Sequence, residues 1–135
     1  MNSSEGTQQA PGAVSLPASL PGIEIADTLR RIGNKPALLF ELLCELATDQ
    51  ANTPEQIRQL LAQGDRVEAT RRAHSVKGNA MNLGCTALAT AAQALESALK
   101  SGAADVDDEL AAAAAAFAVV QASVATLRAR LGRAE

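Results

Sequence analysis

The chain has 135 residues, which is enough for one hydrophobic core and too few for two. Its net charge of −3 and its lack of a Lys/Arg block exclude a typical nucleic-acid footprint. No apolar run reaches the roughly 18–20 residues of a membrane span, and the N-terminus has no signal pattern. Cys44 and Cys85, with one histidine, fit reduced thiols better than a metal site. We expect a cytoplasmic protein without membrane contact, metal or cofactor of its own in this segment.

Alanine and leucine dominate the composition, and Phe40 and Phe117 are the only aromatic residues. Alanine and leucine lose little side-chain freedom in a helix, so this mixture favours helix over sheet. The sequence therefore predicts an all-α fold with closely packed helices.

Residues 1–22 are rich in Ser, Gly, Pro, Gln and Ala and show no helical period. They are typical of a disordered leader or an interdomain linker. We expect the folded domain to cover residues 23–133.

Three helices are predicted in the first half of that domain. A short one covers Ile23 to Ile32, and a second starts near Pro36. Thr53 and Gln56 form a possible capping box for a third helix, which ends at Gly64. The pattern leaves open whether Pro54 separates two helices or kinks a single long one.

Three longer helices follow in the second half. The first is capped by Asp65 and runs to about Leu83, the second starts at Thr86, and the last starts between Asp105 and Asp108. The last has the strongest helical period, with apolar residues at intervals of three and four; its stripe is Leu110, Ala113, Phe117, Val120, Val124, Leu127 and Leu131. Short Gly-containing connections favour an antiparallel up-down four-helix bundle with a short extra N-terminal helix.

The helix with the chain's single histidine carries the candidate chemistry. Its predicted core stripe is Ala69, Ala73, Val76, Ala80 and Leu83. At about 100° per residue, His74 lies roughly 140° from the centre of that stripe and so points outward. A lone histidine is usually an ordinary surface or core residue, so its neighbours decide the interpretation.

Lys77 and Gly78 lie one turn after His74 on the same face. A glycine in mid-helix costs roughly 1 kcal/mol relative to alanine, and here it leaves open space beside the imidazole. Lys77 supplies a flexible cation where an anion attached to the ring would lie. A neutral imidazole is a competent nucleophile near pH 7, so this set of residues suits transient phosphoryl attachment to His74.

The same face offers a candidate docking surface for a partner, formed by Val67, Thr70, Arg71 and Met81. Phosphoryl transfer depends largely on positioning and charge neutralisation, with Mg²⁺ as a common participant. Glu68 lies off this face, and no other acid on the helix is within a turn of His74. We therefore expect the partner to supply the Mg²⁺ and its acidic ligands.

His74-Ser75-Val76-Lys77-Gly78, followed by Asn82-Leu83-Gly84, resembles the signature of histidine-containing phosphotransfer (HPt) domains. Leu20-Pro21-Gly22-Ile23 and Ala62-Gln63-Gly64-Asp65 are similar to segments of the same family, especially of domains at the C-termini of bacterial hybrid sensor kinases. The resemblance covers about Leu20 to Leu131.

This resemblance implies a phosphorelay intermediate without kinase activity of its own. His74 would accept a phosphoryl group from a receiver-domain aspartate and pass it to another, while Lys77 steadies the group and Gly78 gives access. The implied partners are receiver domains of a hybrid histidine kinase and of a response regulator, with Mg²⁺ on the receiver. Asn79 and Met81 depart from the small residues common at these positions, and Met81 shares the His74 face.

The alternative is a helical adaptor that binds proteins through a helix face, with His74 incidental. An autonomous histidine kinase would need an ATP-binding domain, and the sequence has no glycine-rich phosphate loop. We expect a monomer.

Overall fold

The computed structural model describes residues 15–134, and its regular structure in this range is helical. The six helices are α1 (Ile25–Arg31), α2 (Pro36–Asp49), α3 (Thr53–Ala62), α4 (Arg66–Asn82), α5 (Thr86–Lys100) and α6 (Asp107–Ala134). The predicted all-α fold is confirmed.

The question at Pro54 is resolved in favour of two helices, since α2 ends at Asp49 and α3 begins at Thr53. The predicted capping box is wrong. Asn52 occupies the N-cap position, and Thr53 is the first helical residue, without a side-chain cap bond. The Thr53 side chain is buried, and its backbone N–H donates to the carbonyl of Gln50 at 3.0 Å. Burial and this turn bond thus determine how the helix starts.

The core has two apolar clusters, and α4 and α5 contribute to both. Ala69 and Ala73 of α4 join Leu95 and Leu99 of α5 in one cluster, at the end of the bundle nearest α3. The later residues of α4 join the earlier residues of α5 in the other cluster; these are Val76, Ala80, Leu88, Ala89 and Ala92. This pairing shows that α4 and α5 are antiparallel. The middle of one helix therefore packs against the middle of the other.

Helix α6 covers the bundle with the apolar stripe that the sequence predicts. The buried apolar residues of α6 are Leu110, Ala113, Phe117, Val120, Val124 and Leu127, and Leu131 is half-buried. In the described part of the chain, α6 is also long and apolar enough over 107–131 to cross a bilayer by length and composition alone. The expectation that no such run exists is therefore wrong. Its buried stripe gives α6 the pattern of a core helix.

The segment before α1 packs against the bundle, so the fold starts earlier than the predicted boundary at 23. Leu16 and Leu20 lie on the core, and Leu20 exchanges backbone hydrogen bonds with Ile23. The hydroxyl of Ser123 on α6 donates to the carbonyl of Pro21 at 2.6 Å. Residues 1–14 of the predicted leader lie outside the described residues.

A backbone hydrogen bond at Gly84 links the C-terminal end of α4 to the residue that precedes α1. Its carbonyl accepts a 2.9 Å hydrogen bond from the N–H of Glu24, and its φ is +76°. A Cβ at Gly84 would collide with the Thr28 hydroxyl and the Glu24 carbonyl. Only glycine combines this left-handed conformation with so close an approach, and the contact anchors the C-terminal end of the His74 helix.

Candidate functional site

Helix α4 presents His74 outward because its opposite face is buried. The side chain of Asp65 caps the helix by accepting a 3.1 Å hydrogen bond from the N–H of Glu68, as the sequence predicts. All five residues of the predicted core stripe are buried; they are Ala69, Ala73, Val76, Ala80 and Leu83. The side chain of His74 is 63% exposed.

The imidazole of His74 contacts a carboxylate from the neighbouring helix. Nδ1 of His74 lies 2.9 Å from Oε2 of Glu96 on α5. The side chain of Glu96 is only 2% exposed, so its carboxylate lies beneath the exposed ring.

Two lysines neutralise this buried carboxylate. Nζ of Lys77 lies 2.9 Å from Oε1, and Nζ of Lys100 lies 3.1 Å from Oε2. Although Lys77 is close, Oε1 has no hydrogen bond of good geometry within the described residues, so that contact is an ion pair. Lys77 foremost, then Lys100 and His74, lower the pKa of Glu96 to about 2 against the opposing effect of burial.

The ionised Glu96 determines which ring nitrogen is nucleophilic. A carboxylate only accepts hydrogen bonds, so the Nδ1 in contact with it must carry the proton. In the neutral ring the lone pair is then on Nε2. No hydrogen bond joins Nε2 to another residue of the part of the chain that the structure describes.

Gly78 leaves open space one turn after His74. Apart from its chain neighbours and the backbone of its own helix, a Cβ at this position would meet no heavy atom of the described residues within 4 Å. Intramolecular packing therefore does not require a glycine here, which is the geometry expected of a position kept clear for an incoming group.

The four candidate docking residues divide into two kinds. Val67 is 82% exposed and Met81 is 59% exposed, and each lies seven residues from His74 on the same face of α4. The hydroxyl of Thr70 instead donates to the carbonyl of Arg66 at 2.9 Å. The guanidinium of Arg71 pairs with Glu68, and this pair, together with Arg72, lowers the pKa of Glu68. Two of the four therefore present apolar surface, and two already have internal partners.

Glu96 and Lys100 belong to the site but are not among the residues that the sequence predicts for it, because that prediction rests on the His74 helix alone. A signal was present: Ala92, Glu96 and Leu99 follow the intervals of four and three that mark the buried stripe of α5. A charged residue in such a stripe requires partners. Within the described residues, no group of three or more His, Cys, Asp or Glu side chains is placed to hold a metal ion.

Comparison with known proteins identifies the family. The family model described as "Hpt domain" matches residues 41–131, which include all of α4 and α5 and therefore the whole His74 site. No curated protein and no solved structure matches the chain. The match covers more than half of the 135 residues. The chain therefore belongs to the Hpt domain family, the histidine-containing phosphotransfer modules that interact with receiver domains in two-component signalling.

Proposed function

We propose that the protein is a phosphorelay intermediate that accepts a phosphoryl group on His74 from one receiver aspartate and passes it to another. The observation that carries this proposal is the exposed imidazole whose Nδ1 is bound to the buried Glu96 carboxylate. An oriented ring with a free Nε2 is a pre-positioned nucleophile.

In the accepting step, the Nε2 lone pair of His74 forms the new N–P bond. The P–O bond of the aspartyl phosphate breaks, and its electron pair returns to the aspartate carboxylate. The ring keeps its Nδ1 proton and becomes positively charged, and the Glu96 carboxylate stabilises that charge. No proton has to move, so the step reverses when a second receiver aspartate attacks phosphorus.

Glu96 also helps to keep the phosphoryl group transferable. A phosphorylated ring that retains its Nδ1 proton leaves as neutral imidazole when the N–P bond breaks. If the Nδ1 proton were lost, the leaving group would be imidazolide, a much poorer one. By accepting the hydrogen bond from Nδ1, Glu96 favours the protonated form.

Lys77 is the residue that we propose contacts the phosphoryl group. It lies three residues after His74 on α4, and its side chain is 21% exposed, beside the ring's carboxylate partner. Its ammonium offers positive charge to the phosphoryl oxygens. Gly78 leaves room for the group and its donor. We propose that the receiver supplies the Mg²⁺, because the Glu96 carboxylate already contacts two lysines and the imidazole ring.

We place the domain in the cytoplasm as a monomer, with receiver domains of a hybrid histidine kinase and of a response regulator as its partners. The net charge of −3 and the exposed Val67 and Met81 support a soluble module with a small apolar docking surface.

The relay is tested with two receiver domains and Mg²⁺. The protein is labelled from one phosphorylated receiver, separated from it, and mixed with the second receiver. Label on His74, which is acid-labile and alkali-stable, should pass to the second receiver.

The matched control is His74→Gln, which removes the nucleophile at an exposed position and should preserve helicity and melting temperature. It should accept no label. Label that persists on this variant would contradict the assignment. A folded wild type that binds receivers but accepts no label from any would favour the alternative, a helical adaptor.

A further inference from the structure

The carboxylate of Glu96 contacts Lys100 in addition to His74 and Lys77, the two residues that the proposed phosphoryl chemistry uses. Oε2 contacts both Nδ1 of His74, at 2.9 Å, and Nζ of Lys100, at 3.1 Å, while Oε1 faces Nζ of Lys77. Lys100 comes from α5, one turn after Glu96, and its side chain is 65% exposed. It therefore lies next to the ring that we propose is phosphorylated.

Lys77 cannot neutralise Glu96 and a phosphoryl group equally well. A buried carboxylate without a cation is costly, so Lys77 alone would be held on Glu96. A phosphoryl group carries up to two negative charges and competes for the same ammonium. A second cation on Glu96 removes this competition.

We propose that Lys100 is a positioning residue that keeps Glu96 neutralised while Lys77 moves to the phosphoryl group. Before phosphorylation the neutral ring, Glu96 and the two lysines carry one excess positive charge. After phosphorylation the doubly charged phosphoryl group is balanced by that excess charge and by the positive ring. Without Lys100 the cluster would become net negative as the phosphoryl group arrives. This inference rests on the proposed function and adds a residue to it.

The test measures the rate at which His74 is phosphorylated by phosphoramidate, a small donor that needs no docking surface. Lys100→Gln should slow the reaction about fivefold, as expected for one charge interaction screened by water. Lys100→Arg should restore the rate, because it returns the charge. Lys35→Gln is the matched control: Lys35 is the remaining lysine of the chain, is exposed, and lies in the turn before α2.

The Glu96→Gln background distinguishes positioning from a general effect of charge. Glu96→Gln removes the negative charge at residue 96, so no second cation is needed there when Lys77 moves to the phosphoryl group. In this background, Lys100→Gln should therefore have little further effect on the phosphorylation rate. Equal slowing in both backgrounds would overturn the proposal, as would a wild-type rate for Lys100→Gln or a similar loss for Lys35→Gln.

The same assay distinguishes failure of this inference from failure of the proposed function. A labelled wild type with an unaffected Lys100→Gln variant refutes only the role of Lys100. A folded wild type that takes label neither from phosphoramidate nor from a phosphorylated receiver refutes the proposed function, and this inference fails with it.

Discussion

The carboxylate of Glu96 on α5 lies 2.9 Å from Nδ1 of His74 on α4, although 22 residues separate them in the chain. The antiparallel packing of the two helices brings them together. An exposed imidazole above a buried, ionised carboxylate has a defined proton position and a defined orientation.

Replacing Glu96 with glutamine should slow phosphorylation of His74 about 10- to 100-fold, by analogy with the loss of a hydrogen-bond partner that orients a metal-bound histidine. The amide has nearly the same shape and still accepts a hydrogen bond from Nδ1, but it cannot stabilise positive charge on the ring. Single-turnover transfer from a phosphorylated receiver measures the rate, and circular dichroism checks the fold. A wild-type rate would mean that the contact is structural only.

The stability of the protein should fall in acid, partly because of Glu96. Its pKa is lowered from 4.5 to about 2 in the folded chain, so the folded state favours the carboxylate. Its contribution is therefore fully present above about pH 4.5 and is lost as the pH falls towards 2. The difference corresponds to about 3 kcal/mol of unfolding free energy.

Urea denaturation at a series of pH values between 6 and 2 tests this dependence. Glu96→Gln should show a shallower loss of stability in acid than the wild type, while the exposed Glu41→Gln should follow the wild type. Glu68 also has a lowered pKa, so some acid dependence should remain in Glu96→Gln. Parallel curves for Glu96→Gln and the wild type would refute the assignment.

Gly78→Ala should stabilise the protein and impair its function. The new methyl group meets no side chain or neighbouring helix within 4 Å, and alanine favours the helix by about 0.5–1 kcal/mol. The same methyl group enters the space that we propose the receiver and the phosphoryl group use. The melting temperature should therefore rise, while the rate of phosphoryl transfer from a receiver should fall. Faster or unchanged transfer would show that the space is not needed.

Val67→Ser and Met81→Ser should weaken receiver binding without unfolding the protein. Both side chains are exposed, so little folding stability depends on them, but each supplies apolar area beside His74. Burial of such a side chain contributes about 1–2 kcal/mol, so the Kd should rise roughly 5- to 30-fold. Leu38→Ser is a matched control, because Leu38 is an exposed apolar residue on α2. Calorimetric titration with a receiver domain measures the three variants, and an equal loss for Leu38→Ser would contradict a specific docking surface.

Much of the fold follows from apolar spacing and helix-end signals. The stripes of α4 and α6, the Asp65 cap and the turn at Gly84 are where the sequence predicts them, because each depends on residues within a few positions of one another. The prediction of a Thr53 cap rests on equally local grounds and is wrong, because tertiary burial of the side chain prevails over the local preference. Local spacing does not predict the packing of Leu16 and Leu20 either, because the contacts that hold this segment come from distant parts of the chain.

The residues of the candidate site also fall into those that local spacing predicts and those that depend on tertiary packing. His74, Lys77 and Gly78 share one helix, so their spacing alone places them on one face. Glu96 and Lys100 reach the site only through the packing of α5 on α4, which fixes a register that spacing within one helix does not specify. Arg71 illustrates a further limit, since its exposed position is predictable but its pairing with Glu68 depends on side-chain geometry.

The most direct test of the account is nitrogen NMR of the His74 imidazole before and after phosphorylation by a receiver domain. The chain has a single histidine, so its ring signals are unambiguous. We predict a proton on Nδ1 and a free lone pair on Nε2 in the unmodified protein, then coupling of Nε2 to phosphorus with the Nδ1 proton retained. Phosphorus coupling at Nδ1, or ring signals that do not change while the protein takes up phosphate, would contradict the account.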